Sequence, residues 1–326
     1  MIEPRKRIAA FDFNGAAGGA FMTPGGKDFA LRLWFWMSAF LSIVFIVTVP
    51  MFIGGYGEVL EQAWISNQAT FSGQEPQNTE AMLASFGKIL PGMLAFSFGV
   101  WAVVAAGETA LYKRYFYDVE SQRQPLRLGR LELRTALCQL GVWALVFFIY
   151  FLGAIAIGIL AAVLGVVSPI LAALVVLVGI IAILVLFIAV PIRLAPAAAL
   201  SMLRDKTHIM AASKVTKNRF WNLFVAYLVT YIGGYIGYYV LYMISVGVAT
   251  GDMGFLMAVS GLGEENPRLL FEAAAERMKS PLGMTLGIIA MIINAAAMAA
   301  WILLVAGVNA YAVKWWSEDN PVPNFE

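Results

Sequence analysis

The run GVWALVFFIYFLGAIAIGILAAVLGVVSPILAALVVLVGIIAILVLFIAV, residues 141–190, carries no charged side chain. A hydrocarbon core about 30 Å thick is crossed by about 20 apolar helical residues, so a run of this length holds two crossings. Gly165 and Pro169 punctuate it at "GVVSP", and a turn that short joins antiparallel neighbours. The reading is a helical hairpin of two spans, 137–163 and 168–192.

Working outward, four more runs reach the same length, near 33–55, 91–112, 221–248 and 284–311. The fold class expected is therefore an all-α polytopic integral membrane protein with six transmembrane helices and short interfacial helices. It divides into a cytoplasmic interfacial segment 1–32, a six-helix domain 33–311 and a cytoplasmic tail 312–326. Composition agrees: hydrophobic residues make up 61% and charged residues 13% of the chain, with mean hydropathy +0.78. The N-terminal Arg5, Lys6 and Arg7 are followed by no apolar core like that of a secretory signal, so the first span is expected to act as an uncleaved anchor.

With six spans the termini share a side. Eighteen basic residues fall on the N-terminal side and four (Lys88, Arg268, Arg277 and Lys279) on the other, while nine of the twenty acidic residues lie in the two outer loops. This positive-inside bias puts both termini in the cytoplasm of a bacterial inner membrane. Several short helices are expected at the surfaces. "ENPRLLFEAAAERMKSP" reads as an outer surface helix with Asn266 as N-cap and Pro267 at its first position. "NTEAMLASFGKILP" starts the second span early, with Pro91 as a kink. Thr207 caps an inner surface helix and Thr216 caps span five. "FDFNGAAGGAF" is a weak interfacial helix, dipping Phe11, Phe13 and Phe21 into the headgroups against the cost of its glycines.

Two passages look like a known group. "PIRLAPAAALSMLRDKTHIMAASKVTKNRFWNLFVAYLV" (191–229) ends a span on Arg-Leu-Ala-Pro-Ala, adds a short polar helix, and opens the next span with Thr-Lys-x-x-Phe-Trp. With "GETALYKRYF" (107–116) and "PLRLGRLELRTAL" (125–137), it resembles a group of uncharacterised bacterial six-span inner-membrane proteins. These are similar to the membrane domain attached to some glycerophosphodiester phosphodiesterases and to YciC-type proteins. The resemblance runs from Gly107 to about Val229 and implies fold and location. It implies no reaction, because the phosphodiesterase chemistry belongs to a separate soluble domain.

Chemistry-bearing residues are few. One cysteine, Cys138, and one histidine, His208, exclude an intrachain disulfide, a CxxC site and bis-histidine ligation, so no cofactor or metal is expected. "TPGGKD" (23–28) is no phosphate loop, since Phe21 and Asp28 stand where a Walker motif needs Gly and Ser or Thr. Glu108 is the acidic residue inside a span. It reads either as a functional membrane carboxyl such as a proton carrier, or as half of a structural pair with Arg193 at matching depth. Asn294, among alanines in "IIAMIINAAAMAAW", reads as helix glue or as a ligand contact.

"YLVTYIGGYIGYYVLY" (227–242) sets Tyr227, Tyr231, Tyr235, Tyr238, Tyr239 and Tyr242 on one side of span five, with Gly233 and Gly237 opposite. The glycine side is expected to pack on a neighbouring helix. The tyrosine side is expected to face protein or a crevice and meet groups such as Asn294, Thr48 and Ser97.

The basic inner loops interleave Arg and Lys with aromatics, a pattern that attracts anionic headgroups and equally serves topology alone. A charge of +2 gives no reason to expect nucleic acid. The function expected is that of a noncatalytic inner-membrane protein organising lipid or a membrane-protein partner. The alternative is a small secondary transporter or lipid-handling permease.

Overall fold

The structure is a computed structural model. It describes residues 13–23, 25–71, 79–117, 126, 129–204, 206–207, 209–217, 219–250, 272, 276–277 and 279–319. Among them it is all-α, without a strand, and six of its helices are long and apolar enough to cross a membrane: a multi-pass membrane protein. Of the expected outer surface helix from Asn266, residues 266–271, 273–275 and 278 lie outside the described residues, as do Phe11 and His208.

The hairpin forms at the expected place. Helix α4 (Arg130–Val167) ends at Ser168, which is extended at φ −159°, ψ 124°, and α5 (Pro169–Leu194) begins at the next residue. Proline disfavours helical geometry in the residue before it, and its own fixed φ suits a first helical position, so one residue reverses the chain. The two helices close together at Gly179, where a Cβ would fall 2.7 Å from Ile157. In the most apolar window of each, nearly all side chains point outward and only 6% of the window is buried. Pro196 then separates α5 from α6 (Ala197–Leu203), which is buried almost throughout.

The other long helices exceed the apolar runs. Helix α2 (Gly26–Phe71) passes through Pro50, and α3 (Thr79–Tyr117) passes through Pro91. Beyond the apolar stretches the two meet through Gly55 against Ile89 and a Lys88–Glu58 ion pair of 2.7 Å. Helix α8 (Phe220–Thr250) and α9 (Pro281–Asp319) complete the six.

Two caps are corrected. The inner helix α7 (Ala212–Thr216) starts after Ala211 with no side-chain cap, so Thr207 does not open it. Thr216 turns its hydroxyl back to Ser213 O at 3.1 Å and closes α7 instead of capping α8.

The N-terminal segment, comprising α1 (Phe13–Ala17) and a 3-10 turn (Gly19–Phe21), owes its glycines to packing. A Cβ on Gly15 would fall 2.9 Å from the Tyr311 ring, one on Gly19 would lie 2.7 Å from the Gly307 carbonyl carbon, and one on Gly307 would lie 2.9 Å from Ala20 Cα. The segment thus lies backbone to backbone on α9, a contact only paired glycines permit. Gly25 and Gly26, at φ +89° and +50°, make the left-handed turn into α2.

The chain divides into two compact units. One comprises residues 1–30, 105–231 and 303–326, with Leu111, Tyr112, Leu200, Leu223 and Val308 at its core. The second comprises 31–104 and 232–302, with a core of Leu33, Met37, Leu41, Ile89 and Ala295. In the second unit Trp34 Nε1 donates to Ala296 O at 2.8 Å, tying α2 to α9.

Candidate functional site: a buried polar cluster around Glu108

Small residues before Glu108 (Ala105, Ala106 and Gly107) let neighbouring helices approach α3 closely, and the carboxyl lies buried there. One turn on, Tyr112 is fully buried and donates its hydroxyl to Glu108 Oε2 at 2.9 Å. Gln139 of α4 lies close beside the carboxyl. Beside Tyr112 lies Asn309 of α9, whose Oδ1 accepts the hydroxyl of Tyr227 from α8. The cluster therefore gathers side chains of four helices around two hydrogen bonds, Tyr112 to Glu108 and Tyr227 to Asn309.

The same face of α3 is fastened to α4 twice more. Thr109 Oγ1 lies 2.8 Å from Thr135 Oγ1, and Lys113 Nζ lies 2.5 Å from Glu132 Oε1. Cys138 Sγ faces Ser201 Oγ at 3.5 Å, linking α4 to α6. Chemically, the cluster holds a carboxyl among hydrogen-bonding side chains. Among the described residues no basic group pairs with it.

The expected Glu108–Arg193 pair is not formed. Arg193 is exposed in the last turn of α5, and its guanidinium lies over the Phe220 ring, Cζ 5.9 Å from the centroid. Depth along the membrane normal matched the two residues, but the rotation of α5 about its own axis turns Arg193 elsewhere. Tyr112, on the same helix as Glu108, is the partner instead.

In the other unit, Asn294 Nδ2 of α9 donates to Ser245 Oγ of α8 at 2.5 Å and to Ala290 O at 2.9 Å, a bond across the helix pair together with one back to its own helix. Its Oδ1 is buried without a partner among the described residues.

The tyrosine stretch behaves differently at its two ends. Tyr227 is buried in the Glu108 cluster, and Tyr231 is about half exposed. Farther along, Tyr235 stacks on Tyr239 at 6.0 Å and Tyr238 on Tyr242 at 6.4 Å, two ladders at i,i+4 spacing. Tyr235 and Tyr238 flank Trp301 of α9 at 6.3 and 6.1 Å. The indole lies on Gly234, where a Cβ would fall 2.9 Å from Trp301 Cγ. The expected packing of Gly233 and Gly237 is overturned, because both are exposed and nothing lies within 4 Å of a Cβ at either. The expected polar partners are also otherwise engaged: Thr48 donates back to Val44 O at 2.7 Å, and Asn294 bonds Ser245.

Sequence reasoning missed Tyr112, Gln139 and Asn309 as members of the cluster. The available signal was compositional: Gln139 and Asn309 are amides inside apolar runs, within a turn or two of the end where Glu108 lies. Comparisons with protein-family models, with curated proteins and with solved structures each find no match to the chain.

Proposed function

We propose that the chain is a noncatalytic protein of the bacterial inner membrane, with both termini cytoplasmic, that organises lipid or partner proteins. The α4–α5 hairpin carries the reading: two apolar helices bury only 6% of their most apolar windows, so nearly their whole surface is offered to lipid or to another membrane protein. The polar side chains inside the spans support it from the other direction, since Thr109, Tyr227 and Asn294 bond to other helices as interhelical fastenings do. The likeness of Gly107–Val229 to six-span inner-membrane proteins belongs to the same proposal and speaks to location alone. Extraction into lipid nanodiscs followed by mass spectrometry of bound lipids and proteins tests it. A stoichiometric protein or an enriched lipid class is expected, and neither being retained would overturn it.

One observation favours a permease as the second reading. Glu108 is a buried intramembrane carboxyl with no basic partner among the described residues, an arrangement found on proton and substrate paths. Solute or proton flux into proteoliposomes that is abolished by Glu108→Gln would move the assignment to transport.

A further inference from the structure

Three guanidiniums in the first unit share one arrangement. Arg193 lies over Phe220 at 5.9 Å, Arg219 over Trp315 at 5.0 Å and Arg204 over Trp316 at 4.9 Å. Arg219 immediately precedes Phe220, and Trp315 immediately precedes Trp316, so the three pairs neighbour one another along the chain at the end of α5, the start of α8 and the last turns of α9. Among the described residues none of the three makes an ion pair. Glu318, close by in α9, faces Tyr115, over whose ring Lys314 lies at 5.2 Å.

Arg204 is the most constrained. It follows α6, whose terminal carbonyl at Met202 is already satisfied by the Tyr117 hydroxyl at 2.8 Å, and its Nε is buried without a hydrogen-bond partner. A buried donor of this kind calls for an acceptor. A guanidinium over an aromatic face keeps its N–H donors for other partners, and its fork matches two oxygens of one phosphate. Tryptophan rings at this end of the helices belong at headgroup depth.

The geometry points to a phosphate seat: Arg193, Arg219 and Arg204, lying over Phe220, Trp315 and Trp316, bind the phosphate of an anionic phospholipid headgroup. The inference rests on the lipid-organising reading and names its ligand class and residues. Lys214 of α7 and Lys217 just after it are exposed, supply the same charge, and make none of these aromatic contacts.

The test is native mass spectrometry of the full chain titrated with phosphatidylglycerol or phosphatidylcholine in detergent. Wild type is expected to retain phosphatidylglycerol preferentially, and Arg204→Gln/Arg219→Gln should weaken retention by about tenfold. Lys214→Gln/Lys217→Gln should change it less than about twofold. Arg204→Lys/Arg219→Lys keeps the charge and the fold but not the fork, and should still lose several-fold. Phosphatidylglycerol bound equally by all variants, or weakened equally by both glutamine pairs, overturns the seat while leaving the lipid reading standing. No preference in wild type overturns both. Displacement of the lipid by inorganic phosphate at millimolar concentration would make the ligand free phosphate and reject the headgroup.

Discussion

Replacing Glu108 by Met and Tyr112 by Phe, singly and together, tests the centre of the buried cluster. Glu108→Met keeps the side-chain bulk but strands the Tyr112 hydroxyl, which is fully buried and has its 2.9 Å acceptor removed. An unsatisfied buried polar group costs about 1–3 kcal/mol. Tyr112→Phe withdraws a donor from the carboxyl at a similar cost of about 1–3 kcal/mol. With both replaced, neither group is stranded by the other. The contact of Glu108 with Gln139 is lost in one single and in the double, and that of Tyr112 with Asn309 in the other single and in the double, so both cancel from the cycle. The double should therefore be less destabilised than the sum of the singles by about 0.6–1.7 kcal/mol, the span measured for side-chain bonds inside membranes. Glu108→Met combined with Arg193→Gln should add to within about 0.5 kcal/mol, because the two residues share no contact. Reversible unfolding in mixed micelles, titrated with a denaturing detergent, measures all three. Simple additivity for the tyrosine cycle, or coupling above about 1 kcal/mol for the arginine cycle, would refute the assignment of Glu108's partner.

The glycines separate by what lies over them. Gly19→Ala and Gly234→Ala should each destabilise by about 1–3 kcal/mol in thermal unfolding, since a Cβ meets Gly307 backbone or the Trp301 ring. Gly233→Ala and Gly237→Ala, facing open space, should be neutral or stabilise by up to about 1 kcal/mol. Asn294→Leu removes the cross-helix bond to Ser245 and the buried Oδ1 together, so its cost should stay near 1 kcal/mol in the same assay. In a Cys138→Ser background, cysteines at Arg127 and Glu58 should be labelled by impermeant reagent from the inside and outside respectively, and external labelling at Arg127 would invert the proposed topology.

The spans were readable because each is decided locally: residues 141–190 are long and uncharged whatever surrounds them, and Pro169 marks the reversal without help from the rest of the chain. Partners were not readable in the same way. Glu108 stood out as an acid inside a span, yet depth alone pointed to Arg193, and the azimuth of α5 that sends this arginine onto Phe220 is set by packing that no local pattern encodes. The glycine pattern on α8 had the same weakness. Gly233 and Gly237 permit close approach, but Gly234 receives a neighbour because Trp301 of α9 happens to reach it. In the N-terminal segment, glycines that argue against a helix in isolation turn out to be the surface on which Tyr311 and Gly307 rest.

That last contact orders events in time. Residues 13–23 leave the ribosome well before their seat, Gly307 and Tyr311 on α9. Synthesis proceeds from the N-terminus at about 5–20 residues per second, so the segment waits for tens of seconds with its small residues uncovered. Its docking reports the arrival of α9: a product stopped before α9 has no surface on which this segment can rest, and the uncovered segment distinguishes it from a chain in which α9 is in place.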